Sequence, residues 1–75
     1  MKRNMHEWLM HEDLLVANYA KKGLTDMAAK VWLASLLKLP LGKVSARMAD
    51  FTMLYSGMYP HRHYSKQELF VKSIL

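Results

Sequence analysis

The chain contains no cysteine, two prolines, three glycines and six acidic residues in 75. Without cysteine there is neither a disulfide framework nor a thiolate zinc site, which suits a reducing compartment such as the cytoplasm. No apolar run approaches the roughly 18 to 20 residues of a membrane span, so no membrane partner is expected. The basic start Met1-Lys2-Arg3-Asn4-Met5-His6-Glu7 is not followed by an apolar stretch of the kind a signal peptide needs. Catalytic material is equally scarce. There is no cysteine nucleophile, no glycine-rich phosphate loop and no convincing Ser/His/Asp set, so neither an enzyme nor a cofactor is expected.

What remains is apolar and basic. At 52% hydrophobic residues, the chain is too apolar for a disordered tail, and at this length it forms one domain, residues 1–75, with a basic arm over about 1–7 and a helical core over about 8–75. A domain this short buries only about 60% of its unfolded surface, which makes pairing with a partner attractive. Eleven Lys and Arg against six Asp and Glu give a net charge of +5. Such a balance favours polyanions, nucleic acid first among them, through steering and counterion release.

The apolar spacing and the punctuation predict an all-α fold: a small tri-helical, helix-turn-helix-like bundle plus a C-terminal helix. The first helix is expected over about His11 to Lys22, with Glu12 and Asp13 at its start and Gly23 as a C-cap signal. Leu15 and Tyr19 are assigned to its core side, with Trp8 packed ahead of it. Thr25 is the expected cap of a second helix reaching Leu37 or Lys38, with Asp26 and Lys30 as a favourable pair. Because this helix is mostly apolar, it is expected at the centre of the bundle. Leu39-Pro40-Leu41-Gly42 reads as a turn. A third helix follows over about Lys43 to Leu54, with Val44, Met48 and Phe51 inward and Lys43, Arg47 and Asp50 opposite. After a loop from Tyr55 to Tyr64, Ser65-Lys66-Gln67-Glu68 reads as a capping box for the last helix. Leu15, Tyr19, Val31, Leu33, Leu37, Val44, Met48 and Phe51 are expected to be mutually buried.

Trp8, the run Glu12-Asp13-Leu14-Leu15 with Tyr19, Leu33-Ala34-Ser35-Leu36-Leu37, and Val44-Ser45-Ala46-Arg47-Met48-Ala49-Asp50-Phe51 with Leu54 and Gly57 form a series. That series resembles the small N-terminal, SANT/Myb-like helix-turn-helix domain of HNH-type restriction endonucleases, without the nuclease. The resemblance implies a DNA-binding domain whose third helix reads the major groove. Two positions depart from it. The turn Leu39-Pro40-Leu41-Gly42 has no polar side chain for a phosphate, and Asp50 stands where the family usually has Asn.

The face of Lys43, Ala46, Arg47 and Asp50 is therefore the candidate recognition surface, in a non-catalytic DNA-binding protein. Lys43 and Lys38 are assigned to phosphates and Arg47 to a bidentate contact with guanine. Lys2, Arg3 and Arg62 would reinforce the backbone contacts. His61 and His63, two residues apart and without a nearby carboxylate, fall short of a metal set, so no metal is expected. The competing reading is a protein-interaction module, a homodimer or a small inhibitor or accessory protein of the sort that phages and mobile elements encode. Trp8, Trp32, Tyr55, Met58 and Tyr59 exceed what so small a core needs, and Tyr55, Met58 and Tyr59 are the expected contact.

Overall fold

The computed structural model describes residues 7–57 and 63–75, and among these residues there are four helices and no strand. They are α1 (Met10–Lys21), α2 (Met27–Leu37), α3 (Leu41–Ser56) and α4 (Lys66–Ile74). The all-α expectation holds.

Local chemistry explains most of the boundaries. Glu12 accepts the Leu9 backbone N–H at 2.9 Å, which starts α1. The helix ends where Gly23 takes φ +76° and the Leu24 N–H reaches back to the Tyr19 carbonyl at 2.9 Å. This is a Schellman closure, in which glycine adopts the left-handed conformation without a Cβ clash. Asp26, not Thr25, caps α2 by accepting from the Ala29 N–H. The carboxylate is the stronger acceptor for the orphan amides of a first turn and suits the positive helix start. At the other end Lys38 holds φ 57° and ψ 46°, while the Leu39 N–H donates to the Ala34 carbonyl at 3.0 Å. This is the same closure as at Gly23, built on a residue for which the left-handed conformation costs roughly 1–2 kcal/mol.

The third helix starts earlier than its sequence suggests. Pro40 serves as the N-cap, and its carbonyl accepts from Lys43 and Val44. Proline loses nothing here, because the amide it lacks would have been an orphan of the first turn. Leu41 and Gly42 thus belong to α3. Its other end closes on Gly57 at φ +76°. Ser65 and Glu68 form the expected capping box, the Glu68 N–H donating to Ser65 Oγ and the Ser65 N–H to Glu68 Oε1 at 2.7 Å.

The centre of the fold is the α1–α3 pair, on which α2 and α4 pack without touching each other. Its core is Val16, Ala17, Ala20, Leu33, Val44, Met48, Phe51, Leu54 and Val71. On α1 the inward stripe is Asp13, Val16, Ala17 and Ala20, spaced i, i+3, i+4, i+7; the two alanines let α3 approach closely. Leu15, Tyr19 and Leu37 pack against this core from its edge, half-buried. Two expectations are corrected. Val31 is exposed, and α2 is a flanking helix with Leu33 as its one fully buried residue.

Candidate functional site

The largest departure from the sequence reading concerns Arg47. It lies three residues after Val44 and four before Phe51, within the apolar stripe of α3 rather than opposite it, and its side chain is 14% exposed. Its Nε and Nη2 donate to the two oxygens of Asp13, each at 2.8 Å, and its Nη1 donates to Glu68 Oε2 at 2.9 Å. The guanidinium carbon lies 5.2 Å from the Trp8 ring centroid and 5.5 Å from that of Phe51. Gln67 Nε2 completes the cluster, donating to Asp13 Oδ2 at 2.6 Å and to the Trp8 carbonyl at 2.7 Å. Asp13 and Glu68 are buried, yet each of their four oxygens has a donor. That is the condition under which buried charge is tolerated.

This knot ties α1, α3 and α4 together and occupies the guanidinium fork that a guanine contact would require. Arg47 does not pair with Asp50 on its own helix. An open recess of about 580 Å³ lies beside it, lined by Glu7, Trp8, Arg47, His63, Gln67 and Glu68 among others. Trp8 is half-buried against the core and the arginine, so it is a structural residue rather than surplus surface.

The other sequence-selected residues scatter. Lys43 sits half-buried in the first turn of α3, Asp50 is half-buried further along it, and Lys38 is exposed at the end of α2. Tyr55 packs against the core rather than forming an outer patch. Its hydroxyl is buried without a hydrogen-bond partner among the described residues, and burial raises its pKa above the ordinary 10.0. Lys2, Arg3, Met58, Tyr59, His61 and Arg62 lie outside the described residues. Among the described residues no group of three or more His, Asp or Glu side chains is placed to hold a metal, and no helix is long and apolar enough to cross a membrane.

Of the surface that does stand out, the sequence reading singles out Trp32 alone. The outer face of α2, with Leu24 just before it, exposes Leu24, Met27, Val31, Trp32 and Leu36 at 46 to 61%. Ala28 and Ser35, exposed between them, complete an unbroken face with no charged side chain. A smaller apolar face, Leu69, Phe70 and Ile74, lies on the separate outer side of α4. The signal for the α2 face was present in the sequence: a helix that is mostly apolar, with Lys30 as the one charged residue between Met27 and Leu37. Comparison of the chain with family models, curated proteins and solved structures finds no match.

Proposed function

We propose that the protein is a small protein-interaction module that presents the outer face of α2 to a partner. The observation that carries this reading is the exposed apolar row from Leu24 to Leu36. A helix that is hydrophobic all round is ordinarily buried, and scattered apolar surface residues do not form a continuous face of this kind. The five large side chains together leave on the order of 500 Å² open, the scale of the largest, often functional, patch on a typical monomer. Trp32 at the middle of the row is the residue type most enriched among binding anchors.

A second reading, DNA binding through α3, draws on the net charge of +5 and on the three-residue connection from α2 to α3, short enough for a helix-turn-helix. It now lacks its base-edge reader, since Arg47 is engaged with Asp13 and Glu68. Lys43 and Lys38 remain as phosphate contacts, which position a protein on DNA without specifying sequence.

Two charge reversals separate the readings. Val31→Glu on α2 should abolish protein association and leave the affinity for random duplex DNA unchanged. Lys43→Glu should leave protein association intact. Protein association that survives Val31→Glu would sink the α2 reading. Duplex binding that weakens steeply with salt, by about 0.9 log unit per log unit for each phosphate contacted, and disappears in Lys43→Glu would install the DNA reading instead.

A further inference from the structure

Resting on that reading, we infer that the occupant of the α2 face is a second copy of this chain, packed antiparallel about a two-fold axis passing between Val31 and Trp32. Three features of the face point to this occupant.

The first is shape. A two-fold axis at that point sets Ala28 against Ser35 of the second copy, with Val31 beside Val31 on one side and Trp32 beside Trp32 on the other. The small pair falls along the middle of the seam, where it lets the two backbones approach. The large residues form two flanking rows, Met27 and Val31 on one side, Trp32 and Leu36 on the other. Under the two-fold operation each row meets its own counterpart, running the opposite way. An isologous interface requires this kind of self-complementarity.

The second is charge. Asp26 stands at the start of α2 and Lys38 at its end, both exposed. Antiparallel packing brings the end of each α2 that carries Asp26 to the end that carries Lys38 in the second copy, and opposes the two helix dipoles. Parallel packing would set like against like.

The third is area. Two such faces cover on the order of 1,000 Å² together, which reaches the lower bound for a specific interface and places the dimer among the weaker ones. The α4 face, with three large residues, falls short of that, and pairing it with α2 of another copy would be a heterologous contact, which builds rings or open chains rather than an isologous dimer.

The test is the mass of the purified full chain by sedimentation equilibrium across the micromolar range. The mass should rise from 8.8 kDa towards twice that value. Val31→Glu should weaken dimerisation by about tenfold or more, since it buries two unpaired carboxylates in the seam. Circular dichroism should show it as helical as the parent. Asp26→Lys, which also removes the α2 cap and is used only if circular dichroism shows it as helical as the parent, and Lys38→Glu should each weaken the dimer alone, and an equimolar mixture should recover it as the heterodimer. A monomeric mass throughout overturns the second-copy assignment. The protein-interaction reading would then stand or fall separately, on whether Val31→Glu loses proteins that the parent chain binds. A dimer that survives Val31→Glu but not Phe70→Glu overturns the assignment as well, and a mixture that does not recover overturns the antiparallel register.

Discussion

The two flanks of the α1–α3 pair are finished in opposite ways. On one flank α4 is held by a buried polar knot, in which Arg47 answers Asp13 and Glu68 and Gln67 fills the remaining position. Every carboxylate oxygen there has its donor, and the arrangement has one geometry. On the other flank α2 is held by contacts without direction, chiefly Leu33 with Ala34 and Leu37 beside it, and its outer side is as apolar as its inner one. The first flank completes a fold. The second completes the fold and leaves enough apolar surface over to hold something else.

Removing the centre of the knot should have the largest effect. Arg47→Ala would strand two buried carboxylates and remove the cation stacked between Trp8 and Phe51. Breaking a buried pair by deleting one partner costs about 3 to 5 kcal/mol, a large share of what a domain this small possesses. Chemical denaturation should therefore show a chain largely unfolded or close to it. The comparison sharpens if Asp13, Arg47 and Glu68 are replaced together by apolar residues of similar volume. That change should recover most of the loss, because the knot gives direction more than net stability. Should Arg47→Ala prove as stable as the parent, the two flanks would differ in appearance only.

Where the sequence was legible, one residue type had one reason to be there. Gly23 and the Ser65–Glu68 box announced helix ends, because few residues tolerate a positive φ and few side chains satisfy orphan amides. Phe51, Val44 and Met48 announced a buried stripe by their spacing. Legibility failed where one residue type serves two purposes. An arginine on a helix of a +5 chain reads as a nucleic-acid contact, and only its phase relative to Val44 and Phe51 shows that it turns inward. Asp13 and Glu68 were similarly read as helix-start acids; both occupy that place and are also buried, so the pattern carried half of the answer. The apolar character of α2 was plain, but burial against its own chain and burial against another leave the same composition.

A smaller effect sharpens the contrast between polar groups that are buried with partners and those buried without. The Tyr55 hydroxyl is buried and unpartnered among the described residues. Leaving such a group without a hydrogen bond costs about 1 to 3 kcal/mol, so Tyr55→Phe should stabilise the fold by about 1 kcal/mol at neutral pH. Burial also raises the pKa of Tyr55 above 10.0, which sets the direction of a pH effect. Above that value the unfolded chain releases the phenolic proton while the folded chain keeps it. The folded state then binds more protons, and stability falls as pH rises. The contribution is complete below pH 10 and is lost as pH climbs through the raised folded value. Denaturation curves of the parent and of Tyr55→Phe at neutral pH and near pH 11 check both points. The gap between the two proteins should widen at the higher pH, and a constant gap would mean that the hydroxyl is solvated.

The smallest expected effect tests the other flank. In dilute solution, below the concentration at which two copies meet, Val31→Glu should change folding stability by no more than about 0.5 kcal/mol, as for a surface position away from caps and networks. Val31 is 46% exposed and faces away from Leu33 around the helix, so its substitution opens no cavity and strands no partner. The inner contacts of α2 and the Asp26 cap stay intact. Glutamate is a somewhat better helix former than valine, which offsets part of any lost packing. A thermal melt of the variant under these dilute conditions should overlay that of the parent. As concentration rises the parent's midpoint should climb, because association stabilises by mass action, while that of the variant stays where it was. A loss of 2 kcal/mol or more in the dilute variant would show that the outer face of α2 already takes part in the fold of a single chain, and the distinction between the two flanks would collapse.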